Sequence, residues 1–219
     1  DSHCQGSLME RVILHADMNN CYASIETKLN PKLKGIPLAV CGRREDRHGI
    51  VLAKSQEAKV LGVKTGEAIW EAQLKCPDLL IVPPNYDEYL KHSRWARDIY
   101  YDYSNQVEPY GIDECWLDVS GSIHLFGKGK DIAEEIRSRI KKELGITVSI
   151  GVSFNKIFAK LGSDMKKPDA VTEIAREDFK EKIWNLPVEE LLGVGKASKK
   201  KLNRLMIFTI GDLARGIQI

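Results

Sequence analysis

Residues 107–119, Val107-Glu108-Pro109-Tyr110-Gly111-Ile112-Asp113-Glu114-Cys115-Trp116-Leu117-Asp118-Val119, decide the fold. They read as two strands, 107–110 and 114–119, folded back on each other at Gly111. Side chains alternate along the second strand, so Cys115, Leu117 and Val119 share the core-facing side while Glu114, Trp116 and Asp118 share the other. A regular strand at Asp113 would aim its carboxylate into the core, a costly place for an unpaired charge. Asp113 is therefore predicted in the bend after Gly111, where it and Glu114 can reach one cluster.

Working outward, residues 12–16 form an apolar run that reads as a buried strand stopping at Asp17. A helix is predicted over 21–29, closed by Asn30-Pro31, and strands over 38–41 and 50–53 bracket a charged loop at 43–48. Residues 56–61 read as a helix ended by Gly62, and a long helix over 86–103 follows the Pro83-Pro84 break. Beyond the hairpin, Ile132, Ile136, Ile140 and Leu144 recur at helical spacing over 130–144. Val148, Ile150 and Val152 then share one face of a strand over 147–153. Strand, helix, hairpin, helix, strand is the order of an α+β, ferredoxin-like split βαβ sheet. A small α/β segment is inserted after the first strand, up to residue 85. Past Glu173 the pattern turns helical and basic, as in a separate small domain.

In such a sheet the first strand lies in the middle, beside the hairpin. Asp17 at its end is thereby brought towards Asp113 and Glu114. An Asp at a strand end also serves as a helix cap, and an Asp-Glu pair in a turn is commonly solvated surface. Only the three together point to chemistry. Clustered carboxylates repel unless cations neutralise them, and hard oxygen ligands favour magnesium or manganese over zinc. Two such ions about 3.5–4 Å apart support in-line phosphoryl transfer.

Composition narrows the setting. With 219 residues, 43% hydrophobic and 29% charged, the chain matches an ordinary globular protein. No apolar run is long enough to span a bilayer, and no charged-then-apolar leader precedes the fold. Residues 1–8 read as an appended remnant ahead of an initiator Met9. Five widely spaced cysteines, Cys4, Cys21, Cys41, Cys76 and Cys115, form no zinc or disulfide pattern and suit a reducing cytoplasm. Net charge is only +2, yet residues 193–219 carry six basic side chains against Asp212 alone. That concentration points to a polyanionic partner.

Three ordered stretches carry a family resemblance: residues 17–26, Asp17-Met18-Asn19-Asn20-Cys21-Tyr22-Ala23-Ser24-Ile25-Glu26; Gly111-Ile112-Asp113-Glu114; and residues 153–168, from Ser153-Phe154-Asn155-Lys156 to Lys166-Lys167-Pro168. They resemble the successive motifs of Y-family DNA polymerases, most closely the bacterial DinB branch, over residues 11–213. The resemblance implies a catalytic palm (9–18 and 86–174), fingers (19–85) and a thumb (175–219). It implies a template-directed, low-fidelity translesion polymerase that adds deoxynucleotides to a primer 3′-hydroxyl. Asp17 and Asp113 would bridge two Mg2+ ions, with Mn2+ as a substitute. Glu114 would bind the ion that activates the primer, and the Met18 carbonyl would help hold the nucleotide's ion. Tyr22 matches the family's steric gate against a ribose 2′-hydroxyl, although a helix aromatic is also an ordinary core residue. Lys167 matches a lysine that contacts the incoming triphosphate.

Departures from the family accompany these matches. Where many relatives carry a tyrosine and an arginine against the triphosphate, this chain has Gln56 and Lys59; Gln56 lacks the phenol and Lys59 the bidentate fork. Asn19 stands where aspartate is frequent. Leu192-Gly193-Val194-Gly195, followed by Lys196 and Lys199, resembles a helix-hairpin-helix whose backbone N–H groups grip a DNA phosphate. Relatives continue into a little finger domain that is not visible here, so a truncated form with weak DNA affinity is expected. A sliding clamp would be met through that further part. The expected partners are primer–template DNA and deoxynucleotide triphosphates, for a cytoplasmic monomer with no membrane contact. The competing reading is a catalytically impaired DNA-binding scaffold. A nucleotide cyclase is disfavoured, because Gly111-Ile112-Asp113-Glu114-Cys115 is not a Gly-Gly-Asp-Glu-Phe loop.

Overall fold

A computed structural model describes residues 10–42 and 49–217. Residues 1–8, Met9 and the charged loop 43–48 lie outside the described residues. Strand β1 (Ile13–Met18) is the middle of a five-stranded sheet and is buried along its whole length. It does not stop at Asp17 as the apolar run suggests. Asp17 and Met18 stay in the strand because β1 is paired on both sides, and the ladder carries the polar residue with it.

The small sheet forms next in the chain. Helix α1 (Cys21–Leu29) leads to β2 (Leu38–Cys41) and β3 (Val51–Lys54), which pair antiparallel. Helices α2 (Gln56–Val60) and α3 (Ile69–Lys75) precede β4 (Leu80–Val82), which runs parallel to β2 in the order β3-β2-β4. The Ser55 hydroxyl caps α2 by accepting from the Ala58 N–H. Ala39, Cys41, Val51, Ala58 and Ala72 close a separate small core between this sheet and its helices.

Asn85 caps the long helix α4 (Tyr86–Tyr101), which returns the chain to the large sheet. Strands β5 (Val107–Tyr110) and β6 (Glu114–Asp118) make the predicted hairpin, with Gly111 at φ 72° in the bend. After the short α5 (Ile123–Phe126), helix α6 (Gly129–Arg139) is shorter than predicted, because its last stretch widens into a π-type turn at Ile140–Leu144. That turn keeps Ile140 and Leu144 in the core. Strand β7 (Val148–Ser153), helix α7 (Lys156–Met165) and β8 (Val171–Glu173) follow. The sheet order β5-β6-β1-β7-β8 is the expected split βαβ ladder, with β8 added in parallel at the edge.

Alternation divides the two faces of the sheet. Leu14, Ala16, Cys115, Leu117, Val148 and Ile150 face α4 and α6 in the main core. On the other face Gly151 lies under α7: an added Cβ would collide with the Ala159 carbonyl and the Ser163 N–H. This close approach seats α7 directly on β1 and β7. The chain ends in α8 (Phe179–Ile183), α9 (Lys196–Arg204) and α10 (Ile210–Ile217). Their core gathers Ile183 and Ile210 with Leu161 of α7 and Ile174. Among the described residues no helix is long and apolar enough to cross a membrane. Cys21, Cys41, Cys76 and Cys115 are buried free thiols.

Candidate active site

Register places the acids. Asp17 of β1 lies directly across from Glu114 of β6. The bend is tied to the same strand by the Met18 N–H, which donates to the Asp113 carbonyl at 2.9 Å. Asp113 thus sits in the turn, as its alternation requires, beside the end of β1. No three His, Cys, Asp or Glu side chains among the described residues close into one ready-made ion cage. Cations of the chain stand there instead. Lys167 Nζ bonds Asp17 Oδ2 and lies 3.1 Å from Asp164, while Lys160 Nζ lies 2.8 Å from Glu114 Oε1.

Glu114 is also held from β1 itself. His15, two residues before Asp17 and so on the same face, is wholly buried. Its Nε2 lies 3.2 Å from Glu114 Oε1, without the alignment of a hydrogen bond. Its Nδ1 meets Ser163 Oγ at 2.7 Å.

These contacts separate the three acids electrostatically. Burial pushes the Glu114 carboxyl up, but His15 and Lys160 outweigh it and bring the group down to about 2. Burial, then the charges of Asp17 and Glu114, push Asp113 up to about 6. Burial also raises Asp17, with Lys167 opposing. Lysines pair with Asp17 and Glu114, and among the described residues none pairs with Asp113.

A cavity of about 360 Å³ opens beside Asp17 and Asp113. Met18, Tyr22, Gln56, Lys59 and Lys167 line it as well, so it gathers residues from both sheets; Glu114 is not part of the lining. The Tyr22 ring is stacked on Tyr89 with centroids 4.2 Å apart and planes 7° apart, and meets Tyr86 edge-on. It packs against the main core and also forms cavity wall. Gln56 Oε1 accepts a long 3.4 Å hydrogen bond from Asn20 Nδ2. Lys59 is exposed on α2.

Several residues at this site escape the sequence reading. Lys54 and Thr65 line the cavity, but a strand ended at Ala53 leaves Lys54 outside the alternation that would have aimed it there. His15 was also passed over, although its two-residue spacing to Asp17 puts it on the same face of β1. Asn19 accepts from the Asp169 N–H and the Thr147 hydroxyl, both at 2.9 Å, which pins the segment carrying Lys167 to β1. In this structure the Asn19 side chain acts as a tie between chain segments. Gly193, at φ 91°, and Gly195 precede α9, whose Lys196 is exposed and whose Lys199 pairs with Glu189 at 3.0 Å. None of these four lines the cavity.

Residues 16–164 match the model of the impB/mucB/samB family. DNA polymerase IV of Acetivibrio thermocellus is 64% identical over 206 residues, covering 94% of this chain and 52% of that protein. DNA polymerase IV 1 of Bacillus subtilis is 44% identical, covering 93% of this chain and 49% of that protein. Among solved structures, DinB from Sulfolobus solfataricus superposes with a TM-score of 0.85 at 30% identity, over 93% of this chain and 60% of that one. An insertion ternary complex of Dbh DNA polymerase gives 0.84 at 31% identity, over 90% and 58%. The chain spans about half the length of the curated relatives it matches.

Proposed function

The chain belongs to the impB/mucB/samB family of Y-family polymerases, and on that premise we propose that it carries the catalytic core of a template-directed translesion DNA polymerase. Its reaction is the addition of a deoxynucleotide to a primer 3′-hydroxyl with release of pyrophosphate. The observation that carries this reading is one cavity bounded by Asp17 and Asp113 and by Lys59 and Lys167. Buried carboxylates and ammonium groups in the same space suit a substrate that arrives as a metal-bound polyphosphate.

The residues fit a pair of divalent ions. Asp17, Asp113 and Glu114 offer only hard oxygen donors, and the lysine ammonium groups now on Asp17 and Glu114 occupy cation positions. Asp17, Asp113, Glu114 and the Met18 carbonyl would hold Mg2+, with Mn2+ as a substitute. Bound there, such ions lower the pKa of the attacking hydroxyl and stabilise the leaving phosphate charge.

The chain's own groups do the rest. Lys167, Lys59 and Gln56 donate hydrogen bonds to phosphate oxygens, the lysines as point charges. The Tyr22 ring, fixed by its stack on Tyr89, fills the space a ribose 2′-hydroxyl would need. His15 and Lys160 keep Glu114 ionised and fixed. Gly193, Gly195, Lys196 and Lys199 would hold the duplex backbone.

In this reading residues 9–18 and 86–174 are the palm, 19–85 the fingers and 175–219 the thumb. The protein works as a cytoplasmic monomer on primer–template DNA. Primer extension with Mg2+, run beside Asp113→Ala, tests the assignment. Extension by the native chain and at least a hundredfold loss in the variant is expected. Equal activity from both would remove Asp113 from the chemistry.

A further inference from the structure

The cavity holds one more cation than the sequence motifs supply. Lys54, the last residue of β3, lines it together with Lys59 and Lys167. Along β3 Val51 belongs to the small core, whereas Leu52, Ala53 and Lys54 all contribute to the cavity wall. Lys54 Nζ donates to Thr65 Oγ1 at 3.0 Å, and Thr65 is itself part of the wall. Among the described residues this ammonium is thus anchored by a neutral hydroxyl, while Lys167 is shared between Asp17 and Asp164. Burial, then the charges of Lys59 and Lys167, push the Lys54 amine below the ordinary lysine range, with Glu67 opposing.

Three ammonium groups around one cavity repel one another, and the repulsion is relieved when a polyanion enters. The phosphate chain of a nucleoside triphosphate carries more negative charge than the ammonium groups of Lys59 and Lys167 alone neutralise. Lys59 is exposed on α2 and lacks the two-pronged grip of a guanidinium. A third ammonium in the same wall compensates for that weaker grip.

We infer that Lys54, oriented by Thr65, is a triphosphate-binding residue of this site and sets its preference for triphosphates over shorter phosphate chains. The inference rests on the nucleotide-site reading above and names a contact within it. Lys54 binds phosphate oxygens and takes no part in bond making.

The test uses the full chain. Isothermal titration with inorganic tripolyphosphate, then with a deoxynucleoside triphosphate and its diphosphate, is run on the native protein, Lys54→Met, Lys54→Arg and Thr65→Val. Steady-state primer extension accompanies it. Lys54→Met is expected to weaken tripolyphosphate binding about tenfold and to raise KM for the deoxynucleotide by a similar factor, with a much smaller fall in kcat. Its preference for triphosphate over diphosphate should shrink towards unity. Lys54→Arg should restore most of the affinity, and Thr65→Val should give an intermediate loss. A native chain that extends primers while Lys54→Met matches its affinity, KM and chain-length preference would overturn the role of Lys54 alone. A native chain that neither binds tripolyphosphate nor extends a primer would overturn the nucleotide-site reading, and the Lys54 role with it.

Discussion

Burial lifts the Asp113 carboxyl from 3.8 to about 6, with Asp17 and Glu114 adding to the push. The group therefore ionises more readily in the unfolded chain than in the folded one. Its contribution to stability is fully present below pH 3.8 and is lost as pH rises through 6. Above that, ionised Asp113 costs the metal-free fold up to roughly 3 kcal/mol. Asp113→Asn should accordingly gain roughly 1–3 kcal/mol in urea unfolding at pH 8 with chelator present, and change little near pH 4. Added Mg2+ should stabilise the native protein and not the variant. A variant less stable than native at pH 8 would mean that Asp113 is well hydrated. The same site makes a second prediction. Because the Tyr22 ring is braced flat on Tyr89, Tyr22→Phe should retain sugar discrimination, whereas Tyr22→Ala should raise kcat/KM for ribonucleotides at least tenfold. Unchanged discrimination in the alanine variant would leave Tyr22 as core packing alone. Side-chain alternation, a local rule, placed Asp113 in the bend beside Glu114, whereas bringing Asp17 to them needed the strand order of the whole split βαβ sheet. Lys54 was not legible, because its orientation depends on one more residue of β3 than its apolar content announces.

At the scale of elements, the sequence reading captured the segments with a long or strong period and lost those whose form is imposed by neighbours. Strands β6 and β7 were visible from alternation, β1 from its apolar run, α6 from helical spacing, and α1 and α4 from the prolines that bound them. Strand β8 has only three residues, with Thr172 between Val171 and Glu173, and exists because β7 offers it an edge. The π-type turn at Ile140–Leu144 preserves the apolar stripe that suggested an ordinary helix. Helix α7 is the element that joins fold to chemistry. It carries Lys160 and Ser163, which reach Glu114 and His15, and it can approach the sheet only because Gly151 has no side chain. Gly151→Ala should therefore push α7 away, costing about 3 kcal/mol or more in chemical unfolding. Primer extension should fall with it even under conditions where the variant remains folded. A stable, fully active variant would show that α7 can shift without disturbing the acids.

Across the whole molecule, charge is arranged more sharply than the net +2 suggests. The acids lie at the ends of the neighbouring strands β1 and β6, inserted lysines line the same cavity as Asp17 and Asp113, and a basic helix follows beyond α7. Helix α9 carries Lys196, Lys200 and Lys201 exposed to solvent, while Lys199 is partly engaged by Glu189. If this helix meets DNA, it does so through phosphates, and its share of the binding must fall with salt. Each phosphate neutralised contributes about −0.9 to the slope of log K against log salt on duplex DNA. Lys196→Gln combined with Lys200→Gln should therefore flatten that slope by about two and weaken binding to unrelated sequences alike, as measured by fluorescence anisotropy. Because both residues lie outside the cavity, tripolyphosphate affinity should not follow the loss. An unchanged slope would locate the DNA contact elsewhere and leave α9 a solvated face. A fall in tripolyphosphate affinity would instead mean that the two basic regions form one field, so that duplex and nucleotide compete for the same charge.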